Sequence, residues 1–173
     1  KDLPDDEIAR AAEALKPVVQ SRGAAFILND RPDIAAEIGC DGVHVGPDDM
    51  PYRDARRIVG PDAIVGMSCK TSRHSAMVAA EEGADYVAFG AFFASSTKDV
   101  EATADPELLE WWSEIMTVPC VAIGGITPEN CAPLVRAGAD FICAASGVWS
   151  HPDGPGAGVR AYNRAIGEAG ADF

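Results

Sequence analysis

Apolar residues along this chain gather into six short, near-continuous runs, over 24–29, 42–46, 63–68, 86–90, 121–125 and 141–146. Each run closes in polar or glycine-rich residues. Between the runs lie amphipathic stretches such as PDIAAEIG, SRHSAMVAAEEG and PENCAPLVRAG. Continuous apolar strands alternating with helices predict a parallel sheet covered by helices. A helix over 3–19 opens the chain, with Ile8, Ala11, Ala12, Leu15, Val18 and Val19 at helical spacing, where it packs on the outside of the sheet. Another, over about 156–167, follows the turn HPDGPG. In parallel sheets ligands collect at the carboxyl ends of the strands, so the six run endings are the candidate site.

Three segments repeat one local pattern: EIGCDGVHV, EEGADYVAF and RAGADFICA. Each is a helix end, a glycine (Gly39, Gly83, Gly138), a small residue, an aspartate and an apolar strand. Glycine suits the left-handed position after a helix. The aspartate is expected to bond back into the short turn before its strand. Three copies of one αβ joint mark repeated βα units. Six strands fit an open doubly wound sheet, whereas a TIM (β/α)8 barrel needs eight. The late endings IGGI and AASG match the paired phosphate-binding loops of barrels, which favours that fold. No linker or compositional change divides the chain, so residues 1–173 are expected to form one domain.

Composition narrows the functions. The chain has 14 Lys and Arg against 27 Asp and Glu, a formal charge of −13. Such a surface repels nucleic acid and anionic lipid. No apolar run reaches the roughly eighteen residues of a membrane span, and residues 1–20 do not have the apolar pattern expected of a signal segment. A small phosphorylated ligand remains compatible, held by backbone amides, a metal ion and one or two cations. The five cysteines are odd in number and unpaired in spacing. They are expected to be reduced structural thiols in a cytoplasmic protein, with Cys69 of further interest because it follows Ser68.

The endings then supply chemistry. Asn29 and Asp30 follow the first run, where Asp30 either caps the helix begun by Pro32 or serves as an oxygen ligand for Mg2+. Asp48 and Asp49 follow the next run, where they either sit at a helix start beside Pro51 or supply one carboxylate that, with Asp30 at the adjacent strand end, makes the two that Mg2+ bound to a diphosphate uses. Ser68 ends the third run, with no histidine at a sequence spacing that marks a nucleophile. His44 is expected to be satisfied inside the fold, His74 to be a surface or packing residue and His151 to have no role. After Gly90 come two phenylalanines, three hydroxyls and Lys98, one of only four lysines. That loop can pack a flat ring and bind phosphate. Gly124 and Gly125 permit close backbone approach, with Thr127 as the expected cap of a following helix, and Ser146-Gly147 give a second amide-rich turn. The two turns together read as a monophosphate cradle.

Together these segments resemble the thiamine-phosphate synthase family, (β/α)8 barrel enzymes. FILNDR, GVHVGPDDMP, VGMS, GADYVAFGAFFASSTK, AIGGI and GADFICAASGVW carry the likeness, in the family's order, from the first residue to about position 149. The resemblance implies that Mg2+ assists the joining of a hydroxymethylpyrimidine diphosphate to a thiazole phosphate, with release of pyrophosphate. It implies Asp30 and Asp49 as metal ligands, and Asn29, Lys98 and Lys1 as diphosphate contacts. It places Ser95 and Thr97 on the hydroxyl positions of a Thr-x-Thr-Lys loop and Ser68 on an active-site serine. Gly125, Ser146 and Gly147 fall at the thiazole-phosphate cradle. Lys1 matches a lysine at the end of the family's second strand, so the chain is expected to be an N-terminally incomplete barrel with six of eight βα units.

Three features depart from the family pattern: Pro47 replaces a glutamine, Ala91 and Ala94 replace prolines, and Ser95 replaces a threonine. Fewer prolines leave a loop less preorganised. The implied chemistry needs no protein nucleophile. Lys98 and Mg2+ would stabilise the departing pyrophosphate, and the aminopyrimidine would carry the resulting cation until the thiazole nitrogen attacks. Two other readings stay open: a thiazole tautomerase-like enzyme, which needs a proton-transfer residue and no diphosphate site, and a non-catalytic phosphate-binding relative. Expected partners are the phosphorylated pyrimidine and thiazole substrates, with no nucleic acid or membrane and with a homodimer as the assembly to test.

Overall fold

The computed structural model describes residues 3–94 and 103–170. The chain divides into two compact units, residues 1–68 with 76–86 and residues 69–75 with 87–173. In both, strand order follows chain order with no reversal, unlike a doubly wound sheet. The chain carries six βα units of the TIM (β/α)8 barrel type.

The first unit opens with helix α1 (Asp5–Gln20), followed by strand β1 (Ile27–Asn29) and helix α2 (Pro32–Ile38). Strand β2 (Gly42–Val45) and helix α3 (Tyr52–Val59) come next. Strand β3 (Ile64–Lys70) leads to helix α4 (Arg73–Glu81). β1 pairs in parallel with β2, aligning Asn29 with His44, and β2 with β3, aligning His44 with Gly66. Val43, Val45 and Val65 are fully buried, as continuous apolar strands require.

Two expectations shift here. β1 is three residues long, because Ala24 and Ala25 stay exposed outside the ladder. On α1 only Ala12 is fully buried, while Leu15 and Val18 are more than half exposed, so the predicted apolar stripe is covered only in part. α1 still braces its neighbour: Lys16 donates to the Ile38 carbonyl at the C-terminus of α2, where a cation is favourable.

In the second unit strand β4 (Tyr86–Phe89), whose Tyr86 groups with the first unit, precedes helix α5 (Glu107–Ile115). Strand β5 (Cys120–Ile123), helix α6 (Ala132–Arg136) and strand β6 (Phe141–Cys143) follow. Helices α7 (Ser146–Trp149) and α8 (Pro155–Gly170) end the described chain. β4 pairs with β5 and β5 with β6, all parallel. The core holds Phe89 edge-on to Trp112 at 5.4 Å, with Leu109 and Leu134 also fully buried. The Trp112 indole N–H donates to the Val118 carbonyl at 2.7 Å. α6 begins five residues later than Thr127, the expected cap. Asn130 explains the delay, since its side chain accepts the Thr127 amide at 2.7 Å and donates to the Gly125 carbonyl at 3.1 Å. That closes residues 127–131 into a turn before the helix starts.

The repeated αβ joints are the most regular feature of both units. Gly39, Gly83 and Gly138 all have positive φ, at 70°, 95° and 95°, and end their helices. The aspartates do not bond back into their own turns as expected. Each reaches across to the neighbouring strand with two groups. The Asp41 amide donates to the Phe26 carbonyl while its carboxylate accepts the Phe26 amide at 2.7 Å. Asp85 treats Val65 the same way, and Asp140 treats Cys120 the same way. A single residue thus satisfies both backbone groups of one partner where the ladder begins.

Asp85 also pairs with Arg56, whose guanidinium meets the Ala63 and Gly60 carbonyls. Asp85→Ala leaves the Val65 amide without its carboxylate and is expected to cost about 1–3 kcal/mol in urea unfolding. The Phe26 amide, and after it Gln20, hold the Asp41 carboxyl below the usual carboxylate range. Folding lowers this pKa, so the stabilisation is present above the ordinary value near about 3.9 and is lost as pH falls through the lowered one. Asp41→Asn should therefore flatten the acid side of the urea-midpoint profile, below about pH 4.

Candidate active site

The first unit offers a set of polar groups on and after three consecutive parallel strands. Asn29 is the last residue of β1, and Asp30 follows in the left-handed region at φ 65°. Aspartate tolerates that conformation better than most residues. The Asp30 amide donates to the His44 carbonyl at 2.8 Å, and the Arg31 amide to the Asn29 carbonyl, so a tight turn holds Asp30 against the end of β2. Helix α2 starts from Arg31 with Pro32 at its first position, which leaves Asp30 before the cap. The Arg31 guanidinium is engaged by Asp33 and Asp5, and those carboxylates raise its pKa further.

β2 leads into a loop in which the Asp49 carboxylate accepts the Gly46 amide at 2.9 Å. This bond fixes one carboxylate oxygen just past the end of β2. Asp30 and Asp49 therefore belong to loops leaving the same end of a parallel pair. Among the described residues no three His, Cys, Asp or Glu side chains cluster as a ready metal cage. Mg2+ typically takes only one or two carboxylates and completes its shell with substrate phosphates and water, so this hard-oxygen pair fits it.

Ser68 has the histidine partner that its sequence spacing did not reveal. His44 Nε2 lies 2.8 Å from Ser68 Oγ, and His44 Nδ1 lies 2.9 Å from the Tyr86 hydroxyl. His44 is satisfied inside the fold, as expected, by the Ser68 and Tyr86 hydroxyls. Parity and register could have found the contact, because His44 aligns with Gly66 and Ser68 is two residues further on the same face of β3. β3 itself runs to Lys70, so Ser68 is inside the strand rather than at its end. The buried Cys69 extends it.

In the second unit Gly124 and Gly125 have φ of 102° and 59°. A Cβ on Gly124 would lie 2.4 Å from the Ala91 Cβ, and one on Gly125 would lie 2.3 Å from the Ala94 carbonyl oxygen. The close approach that these glycines permit is thus made by residues 91–94. The Phe92 and Phe93 amides donate to the Ile123 and Gly124 carbonyls, tying that loop to the end of β5. Gly125 is anchored in turn by Asn130. Ser146 and Gly147 begin α7 after β6, and a Cβ on Gly147 would collide with the Tyr162 hydroxyl at 2.1 Å. That hydroxyl donates to the Ile126 carbonyl at 2.6 Å, joining α8 to the Gly-Gly turn.

Lys1, Ser95, Thr97 and Lys98 lie outside the described residues. All five cysteines are free thiols. Burial pushes the pKa of Cys69 up to about 12 and that of Cys120 to about 11, which makes both poor nucleophiles. Cys69 thus has no sign of reactivity despite its place after Ser68.

A family model described as thiamine monophosphate synthase matches residues 1–148. A thiamine-phosphate synthase of Rhodospirillum centenum is 65% identical over 166 residues, covering 96% of this chain and 80% of that protein. One from Erythrobacter litoralis is 48% identical over 171 residues, covering 98% and 79%. Among solved structures, a thiamine phosphate pyrophosphorylase from Pyrococcus furiosus superposes with a TM-score of 0.85 at 30% identity, covering 98% of this chain and 80% of that one.

Gly125→Ala combines a left-handed backbone with a clash against the Ala94 carbonyl. It is expected to cost at least about 1–3 kcal/mol in urea unfolding, whereas Gly167→Ala, which meets no atom within 4 Å in α8, should stabilise by up to about 1 kcal/mol through helix propensity.

Proposed function

The chain belongs to the thiamine monophosphate synthase family, and from that premise we propose how its strand ends divide the work. The reaction joins a hydroxymethylpyrimidine diphosphate to a thiazole phosphate, giving thiamine phosphate and pyrophosphate. The bond from the pyrimidine methylene carbon to the diphosphate oxygen breaks, its electron pair leaving with pyrophosphate. The aminopyrimidine shares the positive charge left behind, and the thiazole nitrogen then supplies the pair for the new C–N bond.

In this reading the first unit handles the diphosphate. Asp30 and Asp49 hold Mg2+, Asn29 donates to a phosphate oxygen, and Ser68 adds a hydroxyl donor. Bound Mg2+ would neutralise charge on the diphosphate and on the departing pyrophosphate. Lys98 stabilises that leaving group, with Ser95, Thr97 and Lys1 as further contacts. In the second unit Gly125, Ser146 and Gly147 take the thiazole phosphate through backbone amides and the serine hydroxyl. The observation that carries the reading is the placement of Asn29 at the end of β1, with Asp30 and Asp49 following consecutive parallel strands. The lack of a required nucleophile agrees with the buried Cys69 and Cys120, whose thiols burial keeps protonated.

No described helix is long and apolar enough to cross a membrane. We place the enzyme in the cytoplasm, where free thiols persist and phosphorylated intermediates are made. A homodimer is the assembly we expect by sedimentation.

Lys98→Ala should lower kcat about a hundredfold, as loss of a transition-state charge contact does. The KM for the thiazole substrate should stay within about twofold, because the contact is to the other substrate. Equal loss in kcat and gain in KM would remove Lys98 from the leaving-group role. Asp49→Asn should raise the Mg2+ concentration needed for half-maximal rate while leaving the circular-dichroism spectrum unchanged.

A further inference from the structure

The contact between Ser68 and His44 resembles half of a nucleophilic triad, and its third member decides what it does. Three aligned positions build it. His44 on β2 lies beside Gly66 on β3, and Ser68 follows two residues later on the same face. Because Gly66 has no side chain, the Tyr86 ring lies over it; a Cβ there would sit 1.9 Å from the Tyr86 Cζ. Tyr86 thereby crosses the width of β3 and stacks on His44, with ring centroids 5.5 Å apart and planes 18° from parallel. Its hydroxyl is 2.9 Å from Nδ1, and Ser68 Oγ is 2.8 Å from Nε2. Both imidazole nitrogens thus face hydroxyls.

A neutral imidazole has one donor and one acceptor nitrogen. In serine nucleophile sites a carboxylate accepts the Nδ1 proton, so Nε2 can accept the serine's. Here a phenol takes the carboxylate's place. A phenol, with a pKa near about 10, is a far stronger acid than an aliphatic alcohol and the better donor of the two hydroxyls.

We propose that Tyr86 donates to His44 Nδ1 and that His44 Nε2–H donates to Ser68 Oγ, which fixes the Ser68 hydroxyl as a donor toward a phosphorylated substrate. The relay has the opposite polarity to a triad. It occupies a lone pair on Ser68, leaves the serine proton to be aimed at a substrate oxygen, and withholds the base that a nucleophilic serine needs. His44 and Tyr86 are positioning residues, acting only through Ser68. The proposal rests on the synthase reading for the identity of the substrate and on the geometry of the first unit for the polarity of the relay.

Long-range 1H–15N spectra of the full chain, without substrate, show which His44 nitrogen bears the proton. A proton on Nε2 is expected, and a mixture of tautomers in Tyr86→Phe. A proton on Nδ1 in the unsubstituted protein overturns the proposal. In the coupling assay with Mg2+ and both substrates, Tyr86→Phe should lower kcat about five- to tenfold, the worth of one neutral hydrogen bond. Gly66→Ala, which displaces the ring without removing a hydroxyl, should have the same effect. In a Ser68→Ala background, Tyr86→Phe should change kcat by less than about twofold, because the residue it acts through is gone. An undiminished effect in that background overturns the relay. Should Tyr86→Phe fail to fold, the tautomer of the unsubstituted protein still decides. Absence of thiamine phosphate from the unsubstituted protein would instead sink the synthase reading, while the tautomer measurement stands by itself.

Discussion

Strand register is the constraint on which the strand-end chemistry depends, and three aspartates set it. Asp41, Asp85 and Asp140 each hold both backbone groups of one residue where the preceding strand starts (Phe26 just before β1, Val65 in β3, Cys120 in β5), through their own amide and carboxylate. Each bond is worth about 0.5–1.5 kcal/mol net. Their larger consequence is specificity. Slipping a parallel pair by one residue would exchange its faces, burying the polar set and exposing the valines. A two-point grip at the start of the ladder forbids that slip. The preceding glycine makes the grip possible by turning the chain out of its helix with positive φ.

With register fixed at one end, the other end follows. Three residues after Asp41 stands His44, opposite Gly66, and this alignment lets Tyr86 reach the imidazole across β3. The same alignment brings Asn29 beside His44 and sets Asp30 against the end of β2. In the second unit Asp140 grips Cys120, and β5 then delivers the Gly-Gly turn on which residues 91–94 rest. The placement of chemistry at the strand ends is thus inherited from an interaction at the strand starts.

The parts of this arrangement set by local periodicity were legible in the sequence. All six strands, the helices between them and the capping glycines followed from apolar runs and from the repeated Gly-x-Asp joint. What depends on contact between distant residues was harder to read. The aspartates bond across to neighbouring strands, because the receptor for their carboxylates is an amide 15 or 20 residues earlier. Ser68 looked unpartnered because its histidine is 24 residues away, although it lies next to it in space. Thr127 does not cap the helix, because Asn130 accepts its amide and donates to the Gly125 carbonyl, a turn that delays the helix to Ala132. The glycines of the IGGI turn read as room for close backbone approach, and the structure adds a partner that local sequence did not show, residues 91–94 packed against them.

Hydrogen exchange at the Phe26, Val65 and Cys120 amides tests the register claim most directly. In the full chain these three amides should exchange only through global unfolding, with the same urea dependence as the most protected core amides. Exchange as fast as in exposed turns, independent of urea, would mean that the aspartates do not hold the strands in place.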